Sequence, residues 1–385
     1  MQSRIEIALT VVPSALVCTI LILGARPARG DDRIPLDGMI NGQPVHFAFD
    51  TGADGTALFR KSALRLGLKI TKDPEPPKPG EIESDLTEEC TFSYGGATQH
   101  GRFAVIDSPN FPLDIDGVFS WVGWSNHIIS IDFERKALQV SRTLPGDLQG
   151  WAKWRVLSNA DVLVFECPGS SGVARIGIDT GDPNGVSLSE ARWNQWRLAH
   201  TTPPPALNAI WNPQSGLFVR ELFRASSLTL GGLALTDVPV MPAEPSLIKA
   251  FENADALLGL AALYQVKIVL DVNERLLYTS PNAHAAGNYP YSCLGAVFAP
   301  KSLEAGDDLV AHVAAGSVAY RAGIRDGDVL LRVGDRDTTK WRTDPDVSPL
   351  LKRLFAQPGT QLLLMLKRGD KTYEVKVSLA EVRAE

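Results

Sequence analysis

The tripeptide Asp-Thr-Gly occurs twice in this chain, at Asp50-Thr51-Gly52 and at Asp179-Thr180-Gly181. Each copy follows a short apolar run, VHFAF before Asp50 and ARIGI before Asp179. A single such triplet is explained by an Asx turn that closes a strand, with Asp bonding its own backbone and Gly free to take positive φ. Two of them, at matched places of a repeat, carry more. Carboxylates brought into contact cannot both ionise, so the two aspartates would hold one proton between them over a wide pH range. One then takes a proton from water while the other gives its own to a carbonyl oxygen. Such a pair titrates as a unit, and neither Asp50 nor Asp179 is assigned a separate role. Asp54 and Asp182 sit close by in sequence. Their charge would raise the apparent pKa of the pair, unless both side chains point to solvent or bond local backbone.

The elements that must position these residues also come in two copies. VHFAFDTGADGTALFRKSALRLGL from Val45 aligns with ARIGIDTGDPNGVSLSEARWNQWRL from Ala174. One inserted residue in the second copy brings Gly55 onto Gly185 and Leu58 onto Leu188. Further on, DGVFSW from Asp116 lies over DALLGL from Asp255, and ISIDFERKAL from Ile129 lies over IVLDVNERLL from Ile268, both 139 residues apart. That period is too long for a solenoid and reads as two duplicated lobes. Within each copy, apolar residues alternate (Val45, Phe47, Phe49; Ile176, Ile178), as in half-buried strands. A helical run follows, Phe59 to Leu66 or Ser189 to Leu198. Pro-rich stretches at Asp73–Glu81 and Thr201–Asn208 must be loops. The class is mainly β with short helices.

With two triplets in two lobes, residues from Ile34 to about Leu277 resemble the aspartic proteases of the retropepsin-like kind, both halves in one chain. The resemblance implies a two-lobe acid-protease β-barrel fold and peptide-bond hydrolysis by an Asp50–Asp179 dyad that activates water, with no cofactor. It implies that Thr51 and Thr180 bond across to the opposite loop. Gly52 and Gly181 would admit backbone N–H groups to the carboxylates. Leu257-Leu258-Gly259 fits the family's segment behind the second catalytic loop, whereas Val118-Phe119-Ser120 has Ser in place of Gly. Asp182 also departs from the small residue that usually follows the triplet, where Ala53 conforms. These departures keep open an inactive, peptide-binding scaffold. Tyr94, Gly95 and Gly96 in the first lobe and Ser215 and Gly216 in the second are candidate flap tips, or else ordinary hairpin turns. The pairs Trp121/Trp124 and Trp193/Trp196 read as core.

Beyond a polar linker, Thr279 to Tyr291, the segment DLVAHVAAGSVAYRAGIRDGDVLLRVGDR (Asp308 to Arg336) resembles a PDZ domain. On that resemblance Ala314 to Gly323 form a short helix and Val329 to Val333 a strand. Cys293, Leu294, Gly295 and Ala296 form a loop gripping a peptide C-terminus, and Pro349 to Phe355 a second helix beside it. The domains expected are thus a signal or anchor over residues 1–30, lobes over 31–145 and 146–280, and an α+β PDZ domain over 290–383.

Composition bounds the rest. A net charge of −6 and the lack of a Lys/Arg run leave no footprint for nucleic acid, so the partners expected are polypeptide substrates and peptide C-termini. No HExxH or CxxC occurs and the histidines are scattered, so no metal is expected. Arg4 precedes a charge-free stretch from Ile7 to Ala25, which reads as an export signal or an outward-facing membrane anchor. Cys90, Cys167 and Cys293 have no motif spacing and read as small buried apolar residues.

Overall fold

A computed structural model of the protein describes residues 33–74, 83–107, 115–124, 126–157, 161–169, 172–200, 205–212, 216–282, 289, 291–301, 306–344, 347, 351 and 354–382. The segment read as a signal or anchor, residues 75–81 and 201–204 of the Pro-rich stretches, residues 283–288 and 290 of the expected linker, Ser215, and Pro349 lie outside the described residues.

The first sheet holds β1 (Ile34–Ile40), β2 (Gln43–Asp50), β3 (Ala57–Phe59), β4 (Ile70–Lys72), β5 (Asp85–Thr87), β6 (Cys90–Tyr94), β7 (Ala97–Gly101), β8 (Ala104–Ile106) and β9 (Gly117–Ser120). Its strand order is β4-β5-β8-β3-β9-β2-β1-β6-β7, with helix α1 (Arg60–Arg65) after β3. The second holds β10 (Ile128–Asp132), β11 (Ala137–Ser141), β12 (Ala152–Val156), β13 (Leu163–Gly169), β14 (Gly172–Ile178), β15 (Val186–Leu188), β16 (Ala206–Asn212), β17 (Gly216–Leu230), β18 (Leu233–Pro242), β19 (Ala256–Leu258), β20 (Val266–Asp271) and β21 (Leu276–Pro281). Its order is β11-β10-β20-β21-β12-β13-β14-β19-β15-β18-β17-β16, with α2 (Glu190–Ala199), α3 (Pro245–Ala250) and α4 (Leu260–Leu263) interspersed. The protein is mainly β.

Strand registers obey the repeat read from sequence. Parallel pairing of β2 with β9 sets Phe49 beside Phe119, and parallel pairing of β14 with β19 sets Ile178 beside Leu258. Leu58 faces Gly117 and Leu188 faces Ala256, in agreement with the alignment of Leu58 with Leu188. Between the lobes β10 and β20 pair antiparallel, and Ser130 faces Val269, its own counterpart in the repeat. The pseudo-twofold axis therefore passes through that pair.

Alternation along each strand sends one face inward. Phe47 and Phe49 are fully buried, and Phe47 meets Phe92 and Phe119 edge-on with ring centroids 5.8 and 5.6 Å apart. Each such ring removed from water contributes roughly 2–3 kcal/mol. One apolar cluster runs from Phe47 and Trp124 in the first lobe to Phe165 and Leu258 in the second. Trp121, Trp124 and Trp196 are buried, and Trp193 packs against the same cluster. Cys90, Cys167 and Cys293 are buried and unpaired.

The third sheet, β22 (Ala296–Pro300), β23 (Leu309–Val313), β24 (Val329–Val333), β25 (Arg336–Asp337), β26 (Gln361–Arg368) and β27 (Lys371–Ser378), encloses its own core of Leu294, Ile324, Leu330, Leu364 and Leu366. Helix α5 (Val318–Arg321) is shorter than the expected Ala314–Gly323. Ser317 caps it by accepting the Tyr320 N–H at 3.1 Å, so the preceding residues are held outside the helix. β24 falls where the sequence places it, and Leu351, Leu354 and Phe355 are helical.

Candidate active site

Each Asp-Thr-Gly loop begins where an inner strand ends. Asp50 closes β2 and Asp179 follows β14, each on a strand flanked by its parallel neighbour. The two loops then grip one another. The Thr51 N–H donates to Thr180 Oγ1 at 3.0 Å, and the Thr180 N–H donates to Thr51 Oγ1 at 3.1 Å. Each hydroxyl donates onward to the other lobe, Thr51 to the Ile178 carbonyl at 2.7 Å and Thr180 to the Phe49 carbonyl at 2.9 Å. Both threonines are fully buried, so these four bonds have no competition from water.

That lock sets the carboxylates face to face. Asp50 and Asp179 are 2% and 1% exposed, and each carboxyl lies against the glycine of the other triplet. The Gly52 N–H donates to Asp50 Oδ1 at 2.7 Å, and the N–H groups of Gly181 and Asp182 donate to Asp179 Oδ1 at 2.9 and 3.1 Å. Glycine is required at both third positions. A Cβ on Gly52 would stand 2.6 Å from Asp179 Oδ1, and one on Gly181 would collide with Asp50 Oδ2.

Burial is the main force on the pair. It pushes Asp50 up to about 6, against the pull of the Gly52 N–H. Asp179 rises well above the usual carboxylate range, first from burial and then from the charges of Asp50 and Asp182. Two carboxyls with raised and coupled affinities keep one proton between them toward neutral pH. The arrangement can polarise one bound water and protonate one oxygen.

Asp54 is half-buried, whereas Asp182 is 4% exposed and belongs to the same buried cluster as the pair. Ser120 occupies its place without clash: its hydroxyl donates to the Ala53 carbonyl at 2.5 Å.

The flap candidates are placed on different hairpins. Gly216 opens β17, whose pairing with β16 forms a hairpin beside the second Asp-Thr-Gly loop, where Asn208 of β16 donates to Asn184 Oδ1 at 2.7 Å. Tyr94, Gly95 and Gly96 are not brought to the dyad. They turn β6 into β7 beside Asp37–Met39, whose partners Pro44–His46 precede Asp50 by four to six residues, roughly 13–20 Å of strand. The Tyr94 hydroxyl donates to the Leu138 carbonyl of β11 at 2.7 Å. In chain order, the first-lobe hairpin corresponding to β16–β17 is β4–β5.

In the C-terminal unit the loop Cys293-Leu294-Gly295-Ala296 is held from three sides. The Cys293 N–H donates to the Phe355 carbonyl, the Ala319 N–H to the Leu294 carbonyl and the Ala314 N–H to the Gly295 carbonyl. Gly295 takes φ +66°, and a Cβ there would collide with Ser317. Ala296 begins β22, which ends its sheet and has β16 of the second lobe close by.

Sequence reasoning missed Asn184, Asn208 and the linker residue Tyr289. The Tyr289 hydroxyl donates to Asn184 Oδ1 at 3.0 Å, and the Asn184 side chain donates to Asp182 Oδ1 at 2.8 Å. The one signal available was the residue inserted after the second triplet, which makes room for Pro183-Asn184.

Comparison with protein families agrees with both ends of the molecule. Residues 36–110, in the first lobe, match the family model for aspartyl protease, and residues 309–363 match the model for the PDZ domain. No curated protein matches the chain. The protein thus carries a retropepsin-like aspartyl protease domain toward its N-terminus and a PDZ domain at its C-terminus.

Proposed function

We propose that the chain is an aspartic endopeptidase whose two lobes jointly supply one dyad, Asp50 and Asp179. The observation that carries this reading is the pair of reciprocally bonded triplets, which hold two buried carboxyls against each other's loops. In the one-proton state the ionised member takes a proton from the bound water as its oxygen attacks the carbonyl carbon. The protonated member gives its proton to the carbonyl oxygen, leaving a neutral gem-diol. Collapse of that diol sends a proton to the amide nitrogen, and the C–N bond breaks.

The PDZ domain implies peptide binding; its loop at Cys293–Ala296 suits a polypeptide C-terminus. Export, with cleavage or with anchoring in the membrane, rests on the charge-free segment from Ile7 to Ala25.

The test is digestion of casein and a peptide library by the full chain between about pH 3 and pH 8. Asp50→Asn and Asp179→Asn should each lower cleavage roughly a thousandfold or more, since the dyad works as a unit. Equal cleavage by all three proteins would place the activity elsewhere. Absence of cleavage by the unaltered chain at every pH would favour the peptide-binding scaffold.

A further inference from the structure

We propose that Asp182, Asn184 and Tyr289 form a polar relay that sets a third carboxylate behind the dyad and ties the pH range of hydrolysis to the seating of the PDZ linker. The proposal rests on the endopeptidase reading for its consequence, but its geometry stands apart from turnover.

The relay starts at the second triplet. Asp182 follows Gly181 directly, and its N–H donates to Asp179 Oδ1 at 3.1 Å. Its own Oδ1 accepts from the Asn184 backbone N–H at 2.9 Å and from Asn184 Nδ2 at 2.8 Å. Asn184 is buried and has its other end fixed: Oδ1 receives Asn208 Nδ2 at 2.7 Å and the Tyr289 hydroxyl at 3.0 Å. Two donors converging on Oδ1 leave the amide one orientation, with its NH2 aimed at Asp182. Asn184 is a positioning residue.

Tyr289 precedes the PDZ domain, and it and Tyr291 are both anchored. Tyr289 lies edge-on to Tyr291 at 5.0 Å between ring centroids. Tyr291 is buried with Ala206, Leu222 and Met241 of the β16–β18 region, and Val382 from beyond β27 packs on the same group. Arg224 of β17 sits over the Tyr291 ring, pairs with Asp237 and Glu381, and donates to the Val382 carbonyl at 3.1 Å. β16, which bears Asn208, also contacts β22, the edge strand of the PDZ sheet. A movement of the PDZ domain therefore pulls on the hydroxyl that orients Asn184.

The groups facing Asp182 fix the sign of the effect. Its own loop presents Asp179 and Asn184 and the first lobe presents Asp50, while Asn208 of β16 and the Tyr289 phenol stand one step behind, on Asn184. From α4 the contact is backbone, the Leu260 N–H donating to the Asp182 carbonyl at 2.7 Å. None of these groups is a cation. Burial pushes Asp182 up to about 6, while the bonds from Asn184 draw it back down. Once ionised, Asp182 opposes loss of the last proton shared by Asp50 and Asp179, so the one-proton state extends to higher pH. Loosening Asn184 keeps Asp182 neutral longer and lets that last proton leave at lower pH.

The experiment is a carboxyl-carbon NMR titration of the full chain labelled with 13C-aspartate, for the unaltered protein, Asp182→Asn and Tyr289→Phe. The pH profile of peptide hydrolysis is measured beside it. Asp182→Asn should lower the upper apparent pKa of the pair by about one unit or more. Tyr289→Phe keeps the ring in its apolar group and should lower the same value by less, with the acid limb of the rate profile unmoved. The relay is overturned by an unchanged upper value in a folded Asp182→Asn. It is equally overturned if Tyr289→Phe titrates like the unaltered chain, which also decides the matter should Asp182→Asn fail to fold. Because the titration needs no turnover, an unaltered chain that cleaves nothing would sink the endopeptidase reading and leave the relay to be judged on its own.

Discussion

Behind Asp50 stands Ser120; at the equivalent place behind Asp179 stands Gly259. In the first lobe the loop after the triplet is short, and the Ser120 hydroxyl and N–H fill the gap by bonding the Ala53 carbonyl and Thr56 Oγ1. In the second lobe the inserted residue folds the loop back on itself. There the carbonyls of Asp182 and Asn184 press against Gly259, where a Cβ would stand 2.7 and 2.5 Å from them. The two lobes nevertheless present their aspartates alike, because the crossed threonines tie each loop to the opposite strand in the same way, whatever bonds it makes to its own backing. The backing segment is thus free to diverge so long as it fills its own space. What the second lobe gains from its divergence is a third buried carboxylate.

Gly259→Ser gives the sharpest break of that comparison. The added side chain meets two backbone carbonyl oxygens that also accept the Leu260 and Ala261 N–H groups at the start of α4. Neither can retreat without losing its bond. The expected loss is about 3 kcal/mol of folding stability, read as a lower denaturant midpoint. A variant as stable as the parent would mean that the second loop has slack the geometry does not show.

Next in size is Thr180→Ala, which removes one acceptor and one donor from the lock between the lobes. Two buried partners, the Thr51 N–H and the Phe49 carbonyl, are left without it, a cost of roughly 2 kcal/mol. Thr180→Ser keeps both bonds and should recover most of the loss. If the serine variant melts with the alanine one, packing of the methyl group rather than the crossed bonds holds the loops.

How far sequence could see follows the same division between backbone and side chain. The triplets, the strand alternation and the one-residue insertion are local patterns, and the alignment of Leu58 with Leu188 agrees with the register in which Leu58 faces Gly117 and Leu188 faces Ala256. The turn at Tyr94-Gly95-Gly96 was legible as a turn but not by what it overhangs. Gly95 and Gly96 take φ +56° and +84°, and Gly231 and Gly232, between β17 and β18, take +53° and +86°. The two turns are counterparts in the repeat, and turn chemistry alone does not tell a hairpin over the cleft from one at the sheet's edge. The contact of Tyr289 with Asn184 was hidden for another reason. It joins residues 105 positions apart through side chains whose types have many commoner uses.

Ser120→Gly is the smallest effect and the most discriminating for the family pattern. It restores the residue found in the second lobe but removes the bond to the Ala53 carbonyl and adds backbone freedom to the unfolded chain. The first loop has no inserted residue pressing on that site, so the glycine relieves nothing there. Stability should fall by about 1 kcal/mol, with the carboxyl titration of the dyad unchanged. Peptide hydrolysis should be lowered little, because Asp50 takes its position from Thr51 and Thr180. A large gain in hydrolysis on Ser120→Gly would instead mean that Ser120 holds the first loop away from its working geometry, and the two lobes would then differ in competence as well as in backing.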